Sequence, residues 1–295
     1  MKVHILLFLF LLGTAYTGAA QTPIYGANKK HFNDFKDRPL QVLLTGNDAF
    51  DRALVNALDE HWTFSEVKLR GGDPDLEDDF LNEDYYFLTT ITVTVDGVMR
   101  SKYFSVVRGG KQPGGNLNPR RSIFMTPVNT VYERELPAMA WRIAPVIKLM
   151  NDAMTKIRED NQAISSAPVG IKYMNKTYVE NRGKLENKTL LIDENYIQPD
   201  GYDGNRFSPD YRIKKKSLTA GEVGEIYPYR FEVASQREMA EAIAEKRKDT
   251  AVLIPVNDSV FTAIVYDTET YEVLYYSAEP KKFTLTKKFF KKMAK

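Results

Sequence analysis

The chain has 295 residues, 43% of them hydrophobic and 27% charged, with 41 Lys and Arg set against 39 Asp and Glu. This composition excludes a disordered or fibrous chain and predicts one or two globular domains with ample core. Cysteine is absent and histidine stands only at His4, His31 and His61. Cysteine nucleophiles, disulfide frameworks and zinc sites of the Cys/His type are therefore excluded.

Lys2 precedes an apolar run from Val3 to Leu12, and Gly18, Ala19 and Ala20 then place small residues before Gln21. A single charge, a short apolar core and small residues at a cleavage position form the pattern of a secretory signal peptide. The apolar core is shorter than the roughly 20 residues that span a bilayer. No cysteine follows the small residues, so a lipoprotein is not expected. The expected product is an exported chain, periplasmic or secreted, cleaved near Ala20, with no transmembrane span in the mature part. Removing Lys2 leaves 40 basic against 39 acidic residues, a balance that points to no nucleic-acid partner.

Residues 21–39 are polar and aperiodic and are expected to form an extended arm or linker. Gln41–Thr45 reads as a buried strand, broken by Gly46 and Asn47. Phe50, Ala53, Leu54, Ala57 and Leu58 then recur at helical spacing, with Asn47 as N-cap. Phe64–Leu69 reads as a strand and Asp75–Leu81 as a short helix. Tyr85–Val95 and Val98–Val107 flank Asp96-Gly97, the signature of a type I′ hairpin. After a Gly/Pro/Asn-rich loop, Ser122–Val128 is one more strand. Ile143, Ile147, Met150, Met154 and Ile157 form the longest helical stripe. Pro137 starts this helix, or Pro145 starts or kinks its second part. Ile164–Gly170 reads as a boundary.

The second half opens with a strand over Thr189–Asp193 and a long polar stretch to Ser217. Thr219 with Glu222 forms a capping box before a short helix, Tyr229–Val233 a strand, and Ser235 with Glu238 a second capping box. Strands are predicted over Ala251–Pro255, Val260–Tyr266 and Glu272–Ser277. Leu285 and Phe290 suit a hydrophobic staple around Thr286 at the start of a terminal helix.

Both halves therefore follow one order, βαβαβββα. The predicted class is α/β (α+β), two similar mixed-sheet domains over 40–165 and 166–295, consistent with an internal duplication. The junction Trp62-Thr63-Phe64-Ser65-Glu66-Val67 parallels Tyr227-Pro228-Tyr229-Arg230-Phe231-Glu232-Val233. An exported chain with paired α/β halves and these aromatic junctions resembles uncharacterised exported bacterial envelope proteins. The resemblance implies an exported bacterial source and brings with it no activity and no site residues. The element order of each half is compatible with a thioredoxin-like layout, but without Cys-x-x-Cys thiol redox chemistry is excluded.

Four stretches carry candidate sites. The loop Gly109–Arg121 combines four glycines with Lys111, Arg120 and Arg121, a composition that could hold an anion on backbone N–H groups; it lacks the G-x-x-x-x-G-K-[ST] pattern, and a mobile cover or a disordered loop is the expected reading. Between Asp73 and Asp84 seven of twelve residues are acidic, and Asp73, Asp75, Glu77 and Asp79 offer oxygen ligands for a hard cation. Asp78 stands where an EF-hand requires glycine, so these acids are better explained by the dipole of a short helix. Asp200, Asp203, Asn205 and Asp210 form a second oxygen-rich stretch that reads as a solvated turn. From Lys281 onward seven of fifteen residues are lysine, and Lys287, Lys288, Lys291 and Lys292 could face an anionic membrane or an acidic partner. Packing of this helix on its own sheet is the stronger expectation, so peripheral membrane contact is not expected.

His61 falls in the last turn of a predicted helix and His31 in the polar arm, which leaves neither with an evident catalytic duty. No G-x-S-x-G elbow is present. With 39 acids, no catalytic pair can be chosen and the catalytic residues stay unassigned. No cofactor is predicted. The leading expectation is a non-catalytic binding or assembly module whose partner is an envelope or extracellular protein or a glycan. The alternatives are an extracytoplasmic carboxylate-based hydrolase, for instance on glycans, and a small anion-binding protein.

Overall fold

A computed structural model describes residues 29–71, 76–95, 99–110, 117, 121–129, 135–160, 167–199, 201–202, 215–256, 260–280, 282 and 284–295. The first half runs α1 (Lys29–Lys36), β1 (Leu40–Leu43), α2 (Asp48–His61), β2 (Val67–Arg70), α3 (Leu76–Asp79), β3 (Tyr86–Val95), β4 (Met99–Arg108), β5 (Ser122–Pro127), α4 (Leu136–Met139) and α5 (Ile143–Glu159). The second runs α6 (Ala167–Thr177), β6 (Thr189–Asp193), α7 (Ala220–Gly224), β7 (Phe231–Ala234), α8 (Gln236–Ala244), β8 (Thr250–Val256), β9 (Val260–Asp267), β10 (Val273–Pro280) and α9 (Lys287–Met293).

The strands form two five-stranded sheets, ordered β2-β1-β3-β4-β5 and β7-β6-β8-β9-β10. In each, the first strand lies between two parallel neighbours, and the last three strands form an antiparallel meander. Strand order and sense agree strand for strand, so the protein is an α/β fold in two similar halves. Register makes the correspondence residue by residue at the first two strands. Leu40 stands opposite Val67 as Leu190 stands opposite Phe231, and Val42 opposite Leu69 as Ile192 opposite Val233.

Local chemistry sets the helix ends. Asn47 accepts from the Phe50 N–H at the start of α2. Both predicted capping boxes form: Thr219 with Glu222 opens α7 and Ser235 with Glu238 opens α8. Thr286 accepts from the Phe289 N–H at α9, with Leu285 and Phe290 buried beside it. Pro137 sits in the first turn of α4, and three residues of 3-10 helix (Ala140–Arg142) then lead into α5. Pro145 falls in the first turn of α5, where its missing N–H leaves no helix bond unmade.

One apolar cluster crosses from the first sheet to the second. It begins on Leu40, Val42, Leu88 and Phe104, continues through Phe50, Leu54, Ile147 and Met150 of α2 and α5, and ends on Met239, Ile243, Val252, Ile264 and Tyr276 of the second half. A second cluster fills the other face of the second sheet beneath α7 and α9. The halves thus stack front to back: the α2/α5 side of one meets the α8 side of the other.

Part of the stretch expected to be an extended arm is helical. In α1, Phe32 and Phe35 are fully buried. The Phe35 ring lies 4.6 Å from Tyr86 and 5.3 Å from Phe64. Two aromatic side chains three residues apart lie on one helical face, and their burial outweighs the polar composition around them. Asp34 anchors the same helix, accepting from the Tyr86 hydroxyl at 2.7 Å and from Arg38 at 3.0 Å. Helix α6 occupies residues at and beyond the expected boundary and buries Met174, and Tyr178 is buried just past its end. The hairpin turn at Asp96-Gly97 lies outside the described residues.

Removing the Phe35 ring leaves a cavity at the centre of this aromatic cluster. Phe35→Ala is expected to cost about 3 kcal/mol, read as a lower urea midpoint with unchanged slope. An unchanged midpoint would mean that α1 is no part of the cooperative core.

Candidate functional site

The four outer strands of the two sheets are treated unequally. All six residues of β5 are buried. The outer edge of β10 is covered by side-chain amides: Asn175 Nδ2 donates to the Ala278 carbonyl at 3.1 Å, and Asn175 Oδ1 accepts from the Ala278 N–H at 2.8 Å. Asn181 Nδ2 donates to the Val273 carbonyl at 2.8 Å. Polar groups at a strand edge are a pairing hazard unless occupied, and here they are occupied.

β2 and β7 differ. The Leu40 and Leu44 N–H groups donate to the carbonyls of Glu66 and Arg70, and the Leu190 N–H to that of Arg230. Strand alternation therefore turns the N–H and C=O of Val67 and Leu69, and of Phe231 and Val233, outward. Among the described residues no strand pairs with either outer edge. Leu69 is 48% exposed and Val233 41% exposed, two of the four large apolar side chains exposed among the described residues. They are register-equivalent, so an apolar residue stands bare at the same place in both halves. Their neighbours Lys68 and Glu232 are exposed too, and they carry opposite charge at the equivalent position.

The seam between the halves is polar where α2 ends. The Lys246 ammonium lies 2.6 Å from Glu60 Oε1 and 5.4 Å from the centre of the Tyr271 ring, and the His61 ring meets Tyr271 edge-on at 5.3 Å. Lys246 and Tyr271 are two of the three non-glycine residues with left-handed backbone among the described residues, at φ 46° and 57°. For Lys246 the cause is local. The Lys246 N–H donates to the Ile243 carbonyl and the Arg247 N–H to that of Ala242, the two bonds of a Schellman cap on α8. Glycine is the usual residue at that position, and lysine there places its ammonium against Glu60 across the seam. Glu60 is held below its ordinary value, first by the hydrogen bond from Lys246. Burial holds the His61 imidazole below its ordinary value, partly opposed by the Glu60 charge.

The loop after β1 has the glycine turn and helix N-terminus from which anion sites are built. Here Asp51 of the chain itself fills it. Its carboxylate accepts from the Thr45 N–H at 2.9 Å, the Thr45 hydroxyl at 2.8 Å and the Gly46 N–H at 2.8 Å. At the matching end of β6 the buried Asp193 accepts from the Asn195 backbone and side chain and from Gln236.

The residues singled out in the sequence fall in separate places. Arg121 lies against Glu83 at 3.3 Å, packed so closely on Gly110 that a Cβ there would come within 2.4 Å of the guanidinium carbon. Lys111 and Arg120 lie outside the described residues. Asp79 pairs with Arg70 at 2.6 Å, Glu77 falls within α3, and Asp73 and Asp75 lie outside the described residues. Asp200, Asp203, Asn205 and Asp210 lie outside the described residues too. No group of three His, Asp or Glu that could hold a metal occurs among the described residues. In α9, Phe289, Phe290 and Met293 are buried, Lys287 pairs with Glu222 at 3.0 Å, Lys292 pairs with Glu279 at 3.1 Å, and Lys288 and Lys291 lie on the outer side of the helix. No helix among the described residues is long and apolar enough to cross a membrane. The edge residues Lys68, Leu69, Glu232 and Val233 were not picked out in the sequence, although the paired aromatic junctions lead directly into both strands.

Comparison with protein-family models, with curated proteins and with solved structures found no match to this chain.

The enclosed His61 couples stability to pH. As pH falls, the unfolded imidazole takes its proton near the ordinary value of 6.5, before the folded one does. Its contribution is therefore fully present above that value and is lost as pH falls toward the depressed folded value. Urea titrations from pH 8 to pH 5 are expected to show a stability loss that His61→Gln reduces; parallel curves for the two proteins would show that His61 titrates freely.

Proposed function

We propose that the protein is an exported, non-catalytic binding or assembly module whose working surface is the pair of bare sheet edges, β2 and β7. The observation that carries this reading is their equivalence. Two edges of the four are covered by burial or by asparagine side chains, while the other two keep outward N–H and C=O groups beside an exposed apolar residue at one shared register position. An added strand supplies main-chain hydrogen bonds to such an edge and gains specificity from alternate side chains. The common core holds the two edges in a fixed relation, which suits a scaffold. Export is supported by Lys2, the apolar run Val3–Leu12 and the small residues Gly18–Ala20.

A photoreactive amino acid placed at Leu69 or at Val233 in the producing cell is expected to yield one discrete adduct at each position, identified by mass spectrometry. Arg237, whose side chain is 88% exposed on α8, is the control for non-specific capture. Labelling at Leu69 and Val233 no greater than at Arg237 would reject the edges as the working surface. N-terminal sequencing of the chain recovered outside the cytoplasm is expected to begin near Gln21; an intact Met1 on a cytoplasmic chain would reject export.

A further inference from the structure

The two bare edges differ in one respect that bears on what pairs with them. β2 reads Val67-Lys68-Leu69-Arg70 and β7 reads Phe231-Glu232-Val233-Ala234, with the outward backbone groups on Val67 and Leu69 and on Phe231 and Val233. In an antiparallel pair, outward residues stand directly opposite each other and exchange both hydrogen bonds; in a parallel pair each outward residue stands opposite an inward one. Parallel pairing of β2 with β7 would set Lys68 opposite Phe231 and Leu69 opposite Glu232, mismatched at both. Antiparallel pairing sets Val67 opposite Val233, Lys68 opposite Glu232 and Leu69 opposite Phe231. Every one of these positions is matched in kind, and Leu69, Phe231 and Val233 cover one another on one face.

We propose that β2 of one copy of this chain pairs antiparallel with β7 of a second copy, with Lys68 opposite Glu232. The inference rests on the reading of the edges as the working surface. Arg70 then stands opposite Arg230, but its guanidinium is already neutralised by Asp79 at 2.6 Å. Pairing of like edges is disfavoured at its centre. Two β2 strands would bring Lys68 against Lys68, and two β7 strands Glu232 against Glu232, where directly opposed like charges destabilise a sheet. The joint also preserves the faces of the fold. Val67 and Leu69 share the face of Leu40 and Val42, which packs on α2, and Phe231 and Val233 share the face of Leu190 and Ile192, which packs on α7. The two sheets would join as one ten-stranded sheet with equivalent helices on the same side. Because each copy carries one edge of each kind, the contact is head-to-tail and builds either a closed ring or an open chain of molecules rather than an isolated twofold dimer.

The test uses the purified exported chain in sedimentation velocity over a wide concentration range. Wild type is expected to form concentration-dependent species that weaken with salt, since the central pair is solvent-exposed. Lys68→Glu alone and Glu232→Lys alone are each expected to weaken association about tenfold, by replacing an attractive opposed pair with a repulsive one. The double variant restores the pair with its charges exchanged and is expected to recover assembly. An equimolar mixture of the two single variants is also expected to assemble, since the introduced glutamate of one meets the introduced lysine of the other and the remaining edges keep the native pair. Hydrogen exchange at the Val67, Leu69, Phe231 and Val233 amides is expected to slow as the wild type assembles, a readout that needs no variant. A chain that stays monomeric throughout overturns the proposal, as do single variants that assemble like wild type. Recovery failing in both the double variant and the mixture, with melting temperatures unchanged, overturns it as well. If the chain is monomeric while photoreactive residues at Leu69 and Val233 capture other proteins, self-pairing is wrong and the edge reading stands; if they capture nothing, both fall.

Discussion

One apolar cluster, running from Leu40 and Phe104 of the first sheet to Val252 and Tyr276 of the second, holds the two halves together. An α/β half of this size must bury both faces of its sheet, and a chain without cysteine has no disulfide to help hold it together. The α2/α5 layer meets that need for both halves at once, lying on the first sheet and facing α8 and the second. Each half therefore supplies surface that the other requires. The second sheet covers its remaining face with its own α7 and α9, which is where the apolar side of the lysine-rich terminal helix goes.

Polar contacts at the seam sharpen this arrangement rather than drive it. The Glu60–Lys246 pair is half exposed on both sides, and such pairs contribute on the order of 0–1 kcal/mol each. Their value lies in direction. Glu60 and His61 end α2, while Lys246 ends α8 in a left-handed conformation that lysine adopts at some cost relative to glycine. A further contact, Asn151 accepting from the Thr63 N–H at 2.8 Å, fixes the chain as it leaves α2 toward β2. The bare edge strand is thus positioned by the same layer of helices that aligns the halves.

Much of this architecture is legible in the amino-acid order because the local rules and the global fold agree. Caps at Asn47, Thr219, Ser235 and Thr286 stand where the sequence places them, and the strands of both meanders follow their β-branched runs closely. Legibility fails where burial is decided at a distance. Phe32 and Phe35 sit among Lys29, Lys30, His31, Asn33, Asp34 and Lys36, and only the aromatic floor of Phe64 and Tyr86 from elsewhere in the chain makes them core. The start of α6 is masked by Pro168 and Gly170, residues that read as loop, although a proline at the second helical position costs no hydrogen bond. The bare edges are invisible for a different reason. Exposure of Leu69 follows from strand order, and strand order is a property of the whole sheet.

Front-to-back stacking has a further consequence for the surface. Had the halves met through equivalent faces, the molecule would carry a pseudo-twofold axis, and its two ends would present equivalent faces. Instead the α2/α5 side of one half contacts the α8 side of the other, which leaves unlike faces at the two ends. Lys68 and Glu232, exposed and outside the internal contact, differ in charge at equivalent edge positions without disturbing it. Short length already limits such edges, since four residues offer few hydrogen bonds, and a lysine on each would have completed their protection. One edge has the lysine and the other the glutamate. This choice discourages pairing with an identical edge and leaves pairing with the opposite edge open, so the pattern selects a partner rather than refusing all of them.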